Sequence, residues 1–208
     1  MIDCFELLGV SRRPWLDEEV LKSRFLEQSG PVHPDRIHGA PAAERESATS
    51  KYAELNAAYN RLREPRDRLL HVLELESGAS PGDIQRIPPG TMDLFVEIGQ
   101  TCRDCDAFLA SRSGSPPTSP MLKLKAMREG LEWGGRVDAL RDQVLALRAQ
   151  LTAELQAMNP VWEQAPAVGD AARRTALPLE RLEQIYRSMS YVARWMSQLD
   201  ERRVQLAA

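Results

Sequence analysis

The stretch SGPVHPDRIHG, Ser29 to Gly39, sets a histidine, a proline and an aspartate side by side between residues that interrupt helices. The proline fixes its own φ angle at about −65° and keeps the residue before it extended. We therefore expect His33 and Asp35 to be presented in a restricted geometry, on a loop between two helices. A loop tip on a rigid pair of helices is a good place for a recognition element or a reactive site.

Helical patterns flank this loop on both sides. Residues 17–19 are acidic, which suits the positive end of a helix dipole, and Leu21 and Phe25 recur four residues apart. This helix is predicted to begin near Asp17 and to end at the Gly-Pro pair before the histidine. The helix after the loop carries an apolar stripe at Tyr52, Leu55, Tyr59 and Leu62. The sequence thus predicts an antiparallel hairpin with the loop at its exposed tip, braced by a short N-terminal helix in IDCFELLGV.

The remainder of the chain predicts a second all-helical part. Residues 77–90 are rich in proline and glycine and mark a linker. Three helices follow, at about 91–110, at about 121–158 and after Pro178, and each has one apolar seam at spacings of three and four. Gly134 and Gly135 mark a candidate kink in the second helix, and the twenty residues before its successor are predicted as a loop. Such helices fit an antiparallel three-helix bundle.

These patterns predict an all-α protein with a helical-hairpin domain at 1–76, a linker at 77–90 and a three-helix bundle at 91–208. Its net charge of −3 gives no basic field of the kind that nucleic-acid binders carry. No apolar run approaches the roughly 18 residues that cross a bilayer. Three cysteines predict a reducing compartment, and the chain opens without a basic leader and apolar stretch, so we expect a cytoplasmic protein.

Two groups of side chains raise the question of metal or redox chemistry. His33, Asp35 and His38 could serve as metal ligands, but one short stretch supplies at most three, and no second cluster completes the site. A metal-dependent enzyme built on them therefore stays the weaker alternative. Cys102 and Cys105 form a C-x-x-C pair that also lies on an apolar seam, which favours buried core thiols over a zinc or redox site.

No phosphate-binding glycine loop, Ser-His-Asp set or paired-carboxylate motif occurs in the chain. We therefore predict a protein that is not an enzyme, with no catalytic residues, no cofactor and no metal.

The loop and its flanking segments resemble the J-domain of DnaJ-type co-chaperones, whose signature is His-Pro-Asp between the second and third helices. The segment DCFELLGV, residues 3–10, is similar to the opening of that family. The segments SRFLEQ, residues 23–28, and LNAAYNRLREPRDRLLHVLELE, residues 55–76, are similar to one branch, the HscB/Jac-type co-chaperones of iron–sulfur cluster assembly. The resemblance covers roughly residues 1–76 in sequence and is mostly architectural beyond them, where that branch has a three-helix bundle.

The resemblance implies a partner for the loop. In the family, the His-Pro-Asp loop and a basic face of the helix before it bind a DnaK- or HscA-type ATPase of the heat shock protein 70 class and stimulate its ATP hydrolysis. Carried over, Asp35 would offer its carboxylate to an arginine of the ATPase, Pro34 would shape the loop and His33 would hold it. The matching basic candidates are Lys22, Arg24 and Arg36.

The resemblance also implies a client surface, because the HscB-type branch binds a cluster scaffold protein with the first helix of its bundle. The matching stretch is DLFVEIGQ, and its candidates are Leu94, Phe95, Val96, Glu97 and Gln100. Val32 stands where the family has an aromatic residue, and Glu27 adds an acid to the helix before the loop. A J-like interaction or scaffold protein without ATPase stimulation is therefore a second alternative.

Overall fold

The structure is a computed structural model that describes residues 2–82, 87, 90–112 and 119–207. Within these ranges the chain forms helices and no strand, which confirms the predicted all-α class. The α-helices are α1 Cys4–Leu7, α2 Glu18–Ser29, α3 Pro34–Ile37, α4 Ala42–Arg63, α5 Pro65–Ser77, α6 Met92–Arg112, α7 Pro120–Gln164, α8 Arg173–Ala176 and α9 Leu179–Ala207. They divide into two compact units: Met1–Gly82 with Thr152–Tyr186, and Asp83–Leu151 with Arg187–Ala208.

In the first unit, α2 and α4 form the predicted antiparallel hairpin. The ring of Phe25 stacks on Tyr59 with 4.6 Å between centroids, and nearer the turn the ring of His33 meets Tyr52 edge-on at 5.1 Å. From the first contact to the second, the residue number rises from Phe25 to His33 and falls from Tyr59 to Tyr52, so the two segments run antiparallel.

Local signals set the ends of α2 where the sequence predicts them. The side chain of Asp17 accepts hydrogen bonds of 3.0 Å from the backbone N–H groups of Glu19 and Val20, which satisfies two donors left free at the helix start. The α-helix ends at Ser29, and residues 30–32 continue as a single 3₁₀ turn. This turn alone separates α2 from the His-Pro-Asp loop.

The short helix α1 supports the hairpin by packing against α5. Its buried Phe5 ring lies parallel to the ring of His71 at 5.8 Å between centroids. The backbone N–H of Cys4 donates to Nε2 of His71 at 3.0 Å, a hydrogen bond that the interior shields from water. The family-like DCFELLGV segment thus occupies the supporting position that the sequence predicts for it.

Residues 152–186 belong to the same compact unit as the N-terminal helices. The buried side chain of Arg173 donates hydrogen bonds to both carboxylate oxygens of Glu76. Its Nε lies 3.1 Å from Oε1 and 2.9 Å from Oε2, and its Nη2 lies 2.9 Å from Oε1. The side chain of Asn159 exchanges two hydrogen bonds with the backbone of Trp15, at 3.3 and 3.0 Å. These contacts join segments that lie more than 90 residues apart in the sequence.

The prediction of a loop immediately after Met158 is wrong for its first six residues, because α7 continues to Gln164. Pro160 lies inside this extension, where a proline removes one backbone hydrogen bond and costs about 3 kcal/mol. Two buried side chains offset this cost. Trp162 is buried in the interior, and Asn159 is buried while both of its hydrogen bonds to the backbone of Trp15 are formed. The loop prediction is also wrong for residues 173–176, which form the short helix α8.

The second unit is a three-helix bundle of α6, the first part of α7 and the last part of α9. Phe95 meets Tyr191 edge-on at 6.5 Å, and farther along both helices Arg202 pairs with Asp106 at 2.6 Å, so α6 and α9 run parallel. Asp138 of α7 pairs with Arg203 of α9 and Arg141 with Asp200, so α7 runs antiparallel to α9 and therefore to α6. Core side chains include Ile98, Cys102, Val137, Val144, Trp195 and Leu199.

The helix α7 is continuous through Gly134 and Gly135, so this glycine pair does not interrupt it. A kink at the pair stays a prediction.

Among the described residues, no helix is both long enough and apolar enough to cross a membrane. The division of the chain into a chaperone-binding part at 1–76 and a client-binding part at 91–208 also stays a prediction.

Candidate functional site

The His-Pro-Asp loop, residues 33–35, is fixed by its own short-range hydrogen bonds. His33 is extended, with φ −64° and ψ 134°, and forms the N-cap of α3, of which Pro34 is the first residue. Its Nδ1 accepts a hydrogen bond of 3.2 Å from the backbone N–H of Asp35. Proline suits the first position of a helix because it has no N–H to satisfy there. The predicted effect of Pro34 on His33 is therefore seen in the backbone, whereas Pro34 and Asp35, which were predicted as loop, are the first two residues of the four-residue helix α3.

Packing against α4 positions the histidine and leaves the aspartate free. The His33 ring is half-buried against Tyr52, whereas the Asp35 side chain is 91% exposed. A distance of 3.7 Å separates His33 Nδ1 from the nearer Asp35 carboxylate oxygen, and a contact this exposed contributes little. The loop thus presents a solvated carboxylate on a fixed backbone, and such a carboxylate can accept a bidentate hydrogen bond from a guanidinium group.

The three basic candidates are all exposed, but they differ in whether a carboxylate pairs with them. Arg24 pairs with Glu27 at 3.1 Å on the same helix, which offsets its charge. Lys22 and Arg36 make no ion pair within the part of the chain that the structure describes. Lys22 and Arg36 are therefore the cations that remain available to an acidic partner.

His38 is held by the backbone of the loop. Its Nδ1 lies 3.1 Å from the carbonyl oxygen of Asp35. Over residues 2–82, 87, 90–112 and 119–207, no three histidine, cysteine, aspartate or glutamate side chains are grouped as a metal ion would need. The metal-dependent alternative gains no support from this part of the molecule.

Cys102 and Cys105 both lie in the core of the bundle. Burial raises the pKa of each thiol above its ordinary value, which disfavours the thiolate that metal binding and redox exchange require. Arg202 donates to the carbonyl oxygen of Cys102 at 3.3 Å. These surroundings agree with the prediction of core thiols, and a redox or metal role for the pair stays untested.

The five predicted client residues do not lie on one face of α6, because four of them are consecutive and point about 100° apart. Leu94 is half-buried at the side of the core, while Val96, Glu97 and Gln100 point outward. Phe95 is exposed and contacts Tyr191. The side chain of Gln100 is already engaged, because it donates to Asp104 at 2.8 Å and accepts from Arg103 at 2.7 Å.

A sixth residue completes an exposed apolar cluster on α6. Met92 is exposed three residues before Phe95 and four before Val96, so the three side chains share one face of the helix. We call Met92, Phe95 and Val96 the α6 apolar cluster. The three-and-four spacing alone does not separate a core stripe from a surface stripe, and the exposure of all three side chains identifies this one as surface, with Phe95 at its edge against Tyr191.

Comparison with known proteins supports a co-chaperone type of chain. No protein-family profile matches it. It is 36% identical over 75 residues to the "Co-chaperone protein HscB" of Proteus mirabilis (strain HI4320), and 36% identical over 72 residues to a "Co-chaperone protein HscB homolog" of Shewanella loihica (strain ATCC BAA-1088 / PV-4). The matches cover 36% and 35% of this chain but only 43% and 42% of those relatives. The chain thus aligns with less than half the length of each.

Solved structures extend the similarity of fold to nearly the whole chain. The chaperone HscB from Vibrio cholerae matches with a TM-score of 0.56 and 22% identity, over 99% of both chains. The human co-chaperone protein HscB matches with a TM-score of 0.60 and 18% identity, over 98% of this chain and 83% of that one. The predicted resemblance to HscB-type co-chaperones is confirmed, as is the predicted fold of a helical J-domain followed by a helical bundle.

Proposed function

We propose that this HscB-like chain is a co-chaperone that binds a DnaK- or HscA-type ATPase of the heat shock protein 70 class and stimulates its ATP hydrolysis. It would do so through the His-Pro-Asp loop and without catalysing a reaction of its own. The observation that carries the proposal is the exposed Asp35 carboxylate on a loop whose backbone His33 and Pro34 hold in place. The similarity to two HscB co-chaperones supports the same assignment.

The loop would act by geometry and charge. Asp35 would accept hydrogen bonds from an arginine of the ATPase, and a charge-assisted pair of this kind is about twice as strong as a neutral hydrogen bond. Lys22 and Arg36 would attract an acidic partner surface, which raises the rate of encounter more than the final affinity. His33 and Pro34 would lower the conformational entropy lost on binding, because they hold the backbone of the loop before a partner arrives.

The replacement Asp35→Asn tests this proposal. The wild-type chain should accelerate single-turnover ATP hydrolysis by a DnaK- or HscA-type chaperone, and the variant should lose about tenfold or more of that acceleration, since a lost charge-assisted bond is worth about 1.5–3 kcal/mol. Asparagine has the same shape and the residue is exposed, so the fold should be unchanged. Asp142→Asn, an exposed aspartate on α7, is the matched control and should stimulate like wild type.

Failure of the wild-type chain to stimulate the ATPase would remove the co-chaperone proposal. The alternative of a J-like interaction protein would then stand, since it requires the fold but not the stimulation. A tightly bound stoichiometric metal in elemental analysis of the purified protein would instead revive the metal-dependent alternative at His33, Asp35 and His38.

We further propose that the α6 apolar cluster is part of a client-binding surface, and that an iron–sulfur scaffold protein is its most specific candidate client. Three adjacent exposed apolar side chains, with Glu97 beside them, are typical of an interaction site rather than of scattered surface residues. Of the residues expected at this surface, Phe95, Val96 and Glu97 support the proposal, whereas Leu94 is half-buried beside the core and Gln100 is engaged within α6.

The replacement Val96→Asp tests the client surface. Because Val96 is 57% exposed, the charge should leave the fold intact while weakening binding of an iron–sulfur scaffold protein about tenfold or more, as measured by titration calorimetry. Val204→Asp, at a residue 70% exposed on α9, is the control for adding the same charge to an apolar surface position. Equal affinities for the two variants would rule out this face, and retention of the scaffold by Asp35→Asn would separate the two binding sites.

A further inference from the structure

The second unit contains a groove that neither the His-Pro-Asp loop nor the α6 apolar cluster uses. It lies between the end of α6, the start of α7 and the end of α9 and has a volume of about 590 Å³. Gly130 and Gly134 form part of its lining on α7, and Leu206 lies on the α9 side. Because glycine has no side chain, these two positions deepen the groove along one face of α7.

An exposed row of apolar side chains runs along the α7 side of this groove. Leu124, Met127 and Leu131 recur at spacings of three and four, and their residues are 68%, 63% and 69% exposed. Side chains at this spacing form one stripe on a helix, and such a stripe normally packs against a partner. Here the stripe lies at the edge of the groove and leaves a large apolar area in contact with water.

The rim of the groove is cationic although the whole chain has a net charge of −3. Three of the lining residues are basic, Arg112, Lys123 and Arg203, and one is acidic, Asp138. The charge of Asp138 is offset by Arg203 at 2.8 Å and Arg141 at 3.6 Å, so Arg112 and Lys123 are the lining cations that give the rim its positive charge. The positive charge is therefore a local property of this surface.

Arg112 is held over the floor of the groove. Its guanidinium carbon lies 5.5 Å from the ring centroid of Phe108, and one of its terminal nitrogens lies 3.4 Å from the position that a Cβ atom on Gly130 would take. Within the described ranges, neither Arg112 nor Lys123 makes an ion pair with a carboxylate. Both cations are thus available to a ligand that enters the groove.

We propose that this groove binds an acidic amphipathic helix of a partner protein. A helix that lays an apolar face into a groove is a recurrent mode of peptide recognition, and it matches the row formed by Leu124, Met127 and Leu131. Lys123 and Asp138 are fifteen residues apart on α7, which at 1.5 Å per residue gives a length of about 22 Å, enough for about four helical turns of a ligand. The cationic rim selects acidic side chains on the flanks of that helix.

A designed peptide provides the direct test. The probe is a fluorescein-labelled sixteen-residue helix with leucines at spacings of three and four and glutamates on both flanks, and its binding to the full chain is followed by fluorescence anisotropy. We expect saturable binding that weakens as salt is added, because the rim charges are exposed to screening. A peptide with lysine in place of each glutamate, and a scrambled acidic peptide, should bind at least tenfold more weakly.

Two variants of the groove and one matched control sharpen the test. Lys123→Glu should weaken binding of the acidic peptide about tenfold, whereas Lys125→Glu, the same charge change two residues later and outside the groove lining, should not. Gly134→Leu should abolish binding by filling the groove. A Cβ atom on Gly134 would meet no surrounding atom within 4 Å, and leucine is the better helix former, so this variant should fold.

Four outcomes would overturn the proposal. The first is equal binding of the acidic and lysine-substituted peptides, and the second is binding that Gly134→Leu leaves unchanged while thermal melting shows a folded protein. The third is a dimer in sedimentation experiments that Gly134→Leu dissociates, which would assign the groove to a second copy of this chain. The fourth is binding to anionic lipid vesicles, lost in Lys123→Glu, without binding of the peptide. None of these outcomes affects the proposed ATPase stimulation, which depends on residues of the other unit.

Discussion

Glu76→Ala should lower the free energy of unfolding by about 3–5 kcal/mol, because it leaves the guanidinium of Arg173 buried without its counter-charge. The side chains of Arg173 and Glu76 are only 8% and 4% exposed, and three hydrogen bonds of 2.9 to 3.1 Å join them. Nη1 of Arg12 also lies 3.5 Å from the same carboxylate, but Arg12 keeps its ion pair with Asp3, so Arg173 is the cation left without a counter-charge. The shift in the urea midpoint, with the m-value checked for constancy, measures the loss.

Two control variants distinguish the effect of losing a buried ion pair from the effect of losing an ion pair on the surface. Glu132→Ala removes the carboxylate of an exposed pair with Arg128 on α7, and it should change stability by no more than about 0.5 kcal/mol. Glu76→Gln keeps the shape and one acceptor oxygen, so its cost should lie between those of the two alanine variants. Equal midpoints for Glu76→Ala and Glu132→Ala would contradict the assignment of a buried, structural ion pair.

His71→Ala should cost about 3 kcal/mol, because it both leaves a cavity and removes the acceptor for the buried N–H of Cys4. The His71 ring is fully buried and stacks on Phe5. Its Nε2 accepts the hydrogen bond from Cys4, so the single proton of the neutral ring resides on Nδ1, which lies 3.9 Å from a carboxylate oxygen of Glu74. The variant therefore loosens α1 from α5.

The same histidine gives stability a dependence on pH. Burial, with a smaller contribution from the charge of Arg61, lowers the pKa of His71 below its ordinary value of 6.5. Below pH 6.5 the unfolded chain binds a proton at this residue that the folded chain excludes until the lower pKa is reached. Stability should therefore fall as pH falls through that window, with a slope of at most about 1.4 kcal/mol per pH unit, and should level off below it.

Comparison of urea midpoints at several pH values checks this dependence. The slope should disappear in His71→Ala and persist in His38→Ala, since His38 is exposed on the His-Pro-Asp loop side of the hairpin. A slope of the same size in His71→Ala would show that other groups are responsible for the loss of stability in acid.

The hairpin and its loop could be predicted from the sequence because short-range signals determine them. Asp17 caps α2 through hydrogen bonds to residues two and three positions away, and His33 caps α3 in the same local manner. Proline and glycine act through the φ angle of a single residue. Each of these effects is contained within a few residues, so the pattern alone indicates where helices end and where the motif is exposed.

The structure differs from the sequence prediction where distant segments meet. Pro160 ordinarily predicts the end of a helix, and α7 continues past it because Asn159 is satisfied by Trp15, a residue 144 positions away. No local pattern contains that information. The candidate client residues show the opposite case. The motif predicts four consecutive residues, whereas the exposed face of α6 contains Met92, Phe95 and Val96, whose three-and-four spacing is present in the sequence.

The contacts of Glu76 and Trp15 with residues 152–186 affect how the chain can be dissected for experiments. A fragment that stops at residue 76 would keep the whole His-Pro-Asp loop but would carry Glu76 without Arg173 and Trp15 without Asn159. Weak ATPase stimulation by such a truncated fragment would therefore report a poorly folded piece rather than a poor motif. Reliable dissection of this chain calls for point variants in the intact polypeptide.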